Sequence, residues 1–102
     1  MISLLVDDVR DFGVTDLIAR TYKGAVLALT ALSVDVMYLD HDLGQGQKTG
    51  YDLLNFIFDP KIRIKPKQII LVTMNPVGRE NMIRAMLNNG YEHIGQQIYE
   101  RK

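Results

Sequence analysis

The sequence predicts an α/β fold in three layers, a mostly parallel sheet with helices on both faces. Three observations carry this. Short apolar runs alternate with segments of helical periodicity, two of those runs stop at aspartates, and Gly, Pro and polar clusters separate them.

Residues 2–6 form an apolar run that meets Asp7-Asp8, as a buried parallel strand does on reaching the sheet edge. Residues 17–20 suggest a second, weaker strand. Thr21 suits a helix N-cap, and Tyr22, Ala25, Val26, Leu29 and Leu32 follow at helical spacing. Gly24 within that helix costs some stability. Residues 34–39 give a third strand, ending at Asp40-His41-Asp42. A Gly-rich polar loop, residues 44–50, precedes a helix from about Tyr51 that buries Leu53, Leu54, Ile57 and Phe58 and stops before Pro60. Residues 68–72 read as a central strand. Asn75-Pro76 starts a helix with proline at its first position; Met82, Ile83, Met86 and Leu87 form its buried stripe, and Asn89-Gly90 closes it. A last strand falls within residues 93–99. One connection is awkward: a parallel crossover needs a dozen or more residues, and few separate Asp8 from Leu17. Either the second strand lies elsewhere, or this crossover is an irregular loop.

A chain of 102 residues, 47% of them hydrophobic, makes one domain with a real core. With no cysteine, disulfides and thiolate metal sites are excluded. The start lacks the basic flank of a signal peptide, and no apolar run is long enough to span a bilayer, so a cytoplasmic location is expected. Net charge is zero but uneven. Residues 1–60 carry nine acids and four bases, for −5; residues 61–102 carry three acids and eight bases, for +5. The whole molecule therefore has no general attraction for nucleic acid, and a cation is expected in the acidic half.

In an open parallel sheet, ligands gather at the carboxyl ends of the strands. That edge would bring together Asp7 and Asp8, Asp40, and Thr73. Isolated aspartates at strand ends are common because loops are wet, but two separate strands ending in D-D and D-x-D favour a site. Hard oxygen donors suit Mg²⁺, which keeps several waters and is shared with a substrate phosphate. Without a cation the carboxylates repel one another, and at least one pKa rises.

Four ordered motifs add a family resemblance. Asp7-Asp8-Val9-Arg10, Leu39-Asp40-His41-Asp42-Leu43-Gly44, Thr49-Gly50-Tyr51-Asp52 and Asn75-Pro76-Val77-Gly78-Arg79-Glu80-Asn81-Met82 resemble the cyclic-phosphate-processing receiver family, a relative of the receiver domains of response regulators. The resemblance covers most of the chain. It implies a flavodoxin-like, receiver-like fold, a metal-dependent acidic pocket, and work on cyclic phosphate ends, as of RNA. Signalling receivers place a lysine at the end of the last strand and finish with a further helix. Here no lysine occurs between Lys67 and Lys102, and the usual final helix is not expected.

The remaining candidates follow. Arg10 and Arg79 either grip phosphate oxygens or pair with the acids. Thr73 and Asn75, the latter at a helix start whose free N–H groups favour anions, complete the phosphate-binding set. His41, between two acids, is a candidate general acid; Asp42 is a metal ligand or, preferably, an outer support. His93 reads as structural. Lys61, Arg63, Lys65 and Lys67 form a solvated basic rim on the edge opposite the pocket. The expected function is a Mg²⁺-dependent phosphoesterase in which Asp7, Asp8 and Asp40 bind the metal, and Asp40 is nucleophile or base for water. Two alternatives stand: a phosphoacceptor switch storing a phosphoryl group on Asp40, and a non-catalytic module binding phosphate ends or a cyclic nucleotide.

Overall fold

The computed structural model describes residues 1–63 and 65–102. Its strands are β1 (Ser3–Val6), β2 (Leu17–Ala19), β3 (Val36–Leu39), β4 (Gln68–Leu71), β5 (Tyr91–Gly95) and β6 (Ile98–Arg101), with helices α1 (Tyr22–Ala31), α2 (Gly50–Ile57) and α3 (Pro76–Leu87). They form one sheet in the order β2-β1-β3-β4-β6-β5. β2, β1, β3 and β4 run parallel, and β6 is antiparallel to both its neighbours. The mostly parallel, receiver-like α/β fold is borne out.

Each helix begins where the sequence places a cap. Thr21 accepts the Gly24 amide, Thr49 and Asp52 form a reciprocal capping box, and Asn75 accepts the Gly78 amide with Pro76 at the first position. Such a cap contributes about 1 kcal/mol. Burying one Leu, Ile or Met side chain contributes roughly 1.5–3 kcal/mol, so the core decides how the helices sit. Leu4, Met37, Ile69 and Tyr99 stand in register across four strands and are buried. Ala25 and Leu29 of α1, Leu53, Leu54 and Ile57 of α2, and Met82 and Met86 of α3 join them in one cluster. Leu87 and Leu32 fall outside it, 49% and 40% exposed, so each expected stripe is shorter by its last residue.

All three helices thus share one face. β2, β3, β4 and β5 are joined by crossovers that step the same way across the sheet, and right-handed connections in one direction put every helix on one side. The reverse step, β1 to β2, is too short for a helix. Residues 7–16 cross the second face as an irregular loop, and Phe12 packs on Tyr38 with ring centroids 6.3 Å apart. This resolves the awkward connection: the second strand is where the sequence put it, and the crossover is the irregular part. The cover expected from helices on that face comes instead from this loop, over the row Leu5 and Tyr38.

The single last strand expected within residues 93–99 is a hairpin. β5 and β6 turn at Gln96-Gln97, where Gln96 has φ of 34°, and β6 returns between β4 and β5. A register shift between His93 and Gly95 breaks the alternation that would have marked two strands. Tyr91 anchors the hairpin. Its buried hydroxyl donates to the Pro66 carbonyl, and burial pushes its pKa up to about 12. Among the described residues no helix is long and apolar enough to cross a membrane.

Candidate metal centre

The strand register delivers the acids. Val6 pairs with Leu39, and Leu39 with Leu71, so the carboxyl ends of β1, β3 and β4 lie level. The ladder runs past them: the Asp40 amide donates to the Val6 carbonyl (2.9 Å) and the Val72 amide to the Leu39 carbonyl (3.0 Å). Asp7 and Asp40 therefore emerge side by side. Carboxylate oxygens of Asp7, Asp8 and Asp40 lie within 4.8 Å of one another. Asp7 is fully buried, Asp40 is 7% exposed and Asp8 is half-buried.

Asp7 is the fixed member. Its Oδ1 accepts the Val9 and Arg10 amides (3.0 and 2.9 Å), and its Oδ2 accepts Arg10 Nη1 at 3.2 Å. Asp40 has less support. Burial raises its pKa first and the Asp7 charge second, while the His41 amide, Arg10 and the Thr73 hydroxyl pull it back. The rise expected of clustered carboxylates is present. All three donors are hard oxygens, and each carboxylate retains lone pairs after its protein hydrogen bonds, so the set fits a hard divalent cation.

The cations divide. Arg10 Nη1 donates to Asp7 and also to the Val72 carbonyl, a bracket between the ends of β1 and β4, so ion pairing occupies it here. Arg20, which ends β2 at the same edge, donates to the Asp7 carbonyl (3.3 Å) and the Arg10 carbonyl (2.5 Å) and pins the loop. Sequence reasoning passed over it, although a basic residue closing a strand at this edge was the available signal. Arg79 points elsewhere, donating through Nε and Nη2 to Gln97 Oε1.

Two glycines set the approach of the helices, and both were unexplained letters in the motifs. A Cβ on Gly50 would stand 2.1 Å from the Asp40 carbonyl oxygen, and the Gly50 amide donates to the His41 carbonyl at 2.7 Å. Only glycine lets α2 sit this close to the acidic loop. A Cβ on Gly78 would stand 2.5 Å from the His41 ring, so α3 offers that ring a flat seat. Asp42, 65% exposed, lies outside the acid cluster and holds His41 Nδ1 at 3.1 Å. Asn75 is spent on its cap, and its Nδ2 stands 3.5 Å from the same ring nitrogen. Thr73 is buried beside Asp40, and its hydroxyl accepts the Asn75 amide.

The opposite, amino edge carries a hollow of about 510 Å³ lined by Met1, Asp35, Val36, Lys67 and Gln68. Its one carboxylate, Asp35, is occupied by the Ile2 amide at 2.8 Å, so the convergent chemistry belongs to the carboxyl edge.

Comparison with known families gives a match to the cyclic-phosphate processing receiver domain over residues 2–88. The chain belongs to that family. All four motifs of this receiver domain lie inside the matched stretch, and the β5–β6 hairpin lies beyond it. Comparison with curated proteins gives no match.

Proposed function

We propose that this receiver domain is a Mg²⁺-dependent phosphoesterase that opens a cyclic phosphate, as at a 2′,3′-cyclic end of RNA, in the cytoplasm. The observation that carries the reading is the convergence of Asp7, Asp8 and Asp40 within 4.8 Å inside a cyclic-phosphate processing family. Those three residues would hold the Mg²⁺. Bound there, the cation would polarise the phosphoryl oxygen and offset its charge.

The residues have the following tasks. Asp40 takes the proton from the attacking water as the water oxygen bonds to phosphorus. One ring P–O bond breaks in line with the attack, and His41 Nε2 protonates the departing ribose oxygen. Asp42, bonded to Nδ1, and Gly78, beneath the ring, hold His41 in place. Thr73 stands by Asp40 to meet a phosphate oxygen. Use of water, rather than storage of a phosphoryl group on Asp40, is favoured by the β4–β6 junction. No lysine lies between Lys67 and Lys102, so the lysine with which a signalling receiver holds its phosphoryl group has no counterpart beside that junction.

The test is conversion of an RNA fragment ending in a 2′,3′-cyclic phosphate, followed by phosphorus NMR. Turnover is expected with Mg²⁺ and is lost on chelation. Asp40→Asn removes charge at constant size and should cost several powers of ten in rate. His41→Ala should cost roughly ten- to ten-thousand-fold. Asp8→Asn should weaken Mg²⁺ binding in calorimetry. Tight binding of the cyclic end without any turnover would make the protein a binding module instead.

A further inference from the structure

Arg79 is a cation without a carboxylate. Among the described residues the arginine–carboxylate pairs are Arg10 with Asp7 and Arg84 with Glu80. Arg79 is held by a neutral amide, with Nε at 2.8 Å and Nη2 at 2.5 Å from the single oxygen Gln97 Oε1. A guanidinium carries five N–H groups in a rigid fork, so three remain free and the full charge is kept. Its position makes the arrangement costly for stability. Arg79 lies in the first turn of α3, where the helix dipole disfavours a cation and favours an anion.

Gln97 is itself well fixed. Its carbonyl accepts the Leu71 amide at 3.0 Å, which locks the hairpin turn to the carboxyl end of β4. In the sheet order, β3 and β6 flank β4. Two strand spacings, roughly 10 Å, therefore separate the end of β3, with Asp40, from the hairpin turn. That is too far for one phosphate to touch both, but an adjoining phosphodiester can span it.

We propose that Gln97 is a positioning residue that holds Arg79 to receive a second phosphate of the same ligand. The preferred substrate is then an oligonucleotide end rather than a cyclic mononucleotide. This rests on the phosphoesterase reading above and narrows its substrate. It also gives a task to the hairpin, which lies outside the family match.

The experiment compares a 2′,3′-cyclic mononucleotide with a dinucleotide ending in the same cyclic phosphate. The wild type should favour the dinucleotide by about tenfold in KM, the value of one charge-assisted hydrogen bond. Gln97→Glu keeps the shape and the contact with Arg79 but neutralises its charge. It should erase the preference, with the loss in KM rather than kcat, whereas a merely structural glutamine would be replaced without loss. Arg79→Lys, which keeps charge but not the fork, should fall between. An unchanged preference in Gln97→Glu, or no preference in the wild type, would overturn the proposal while leaving cyclic-phosphate opening intact. If nothing is turned over, calorimetry with a linear dinucleotide 3′-phosphate decides it alone. Tighter binding by the wild type than by Gln97→Glu supports the subsite, and equal binding removes it.

Discussion

The two edges of the sheet carry charge in opposite ways. At the carboxyl edge, charges are set against each other: Asp7, Asp8 and Asp40 crowd together, and Asp40 is left with a raised pKa. At the amino edge, charge is spent on backbone. Lys65 Nζ donates to the carbonyls of Ile57 and Ile62, both at 2.5 Å, and Arg101 donates to the Lys65 carbonyl at 3.1 Å. A lysine closing the end of α2 satisfies orphan carbonyls and adds stability. Three carboxylates with no cation among them except Arg10 detract from it. The difference separates scaffold from site more sharply than exposure does, because Asp7 and Asp40 are more buried than Lys65.

The strongest way to break the carboxyl edge is to move it without touching a charge. Gly50→Ala puts a methyl group 2.1 Å from the Asp40 carbonyl oxygen, so α2 or the acidic loop must shift. Overpacking of this kind costs about 1–3 kcal/mol or more. Chemical denaturation should show that loss, and Mg²⁺ affinity should fall with it. A variant of normal stability and normal metal affinity would mean that the close approach does not position Asp40.

The amino edge gives the next effect. Lys65→Gln cannot reach both carbonyls and should cost about 1–2 kcal/mol in urea unfolding. Lys61, Arg63 and Lys67 are exposed, and changing all three to glutamine should stay within about 0.5 kcal/mol. The basic run was read from sequence as one solvated rim; its alternation hid the member that turns inward. Equal effects from the single and the triple substitution would restore the single-rim reading.

What could be read in advance follows from where the determining forces are local. Apolar runs ending at Asp7-Asp8 and Asp40, and caps at Thr21 and Asn75, are short-range signals, and the structure places the three acids and Thr73 together as expected. The misses are long-range. Neither Arg79 facing Gln97 nor Gly78 seating His41 has a local pattern, since each depends on which element packs next to which. The helix layer was misjudged for a related reason. Alternating strands and helices predict a parallel sheet, but the side each helix takes depends on strand order, which periodicity does not encode.

The smallest expected effect is also a gain, and it tests the contrast directly. In protein freed of metal by chelation, Asp40 carries a folded-state pKa above its ordinary value, through burial and then through Asp7. A raised folded pKa means that the folded state binds the proton more tightly than the unfolded chain does. The stability from this group is therefore fully present below the ordinary carboxylate value and is lost as pH rises through the folded one. Asp16 works in the reverse sense. Hydrogen bonds from Ser3 lower its pKa, so its contribution is present at neutral pH and is lost on acidification. The wild-type pH profile mixes the two, and the difference between wild type and Asp40→Asn isolates the first. At pH 7 in chelator, Asp40→Asn should melt higher by a few degrees, about what relief of 1 kcal/mol or less produces in a domain of this size. That advantage should shrink as pH falls through the raised folded pKa, because wild-type Asp40 then takes up its proton and becomes neutral as well. Added Mg²⁺ should reverse the order by stabilising the wild type alone. A melting point for Asp40→Asn at or below that of the wild type in chelator would place the carboxyl edge with the amino edge, as one more set of charges serving the fold.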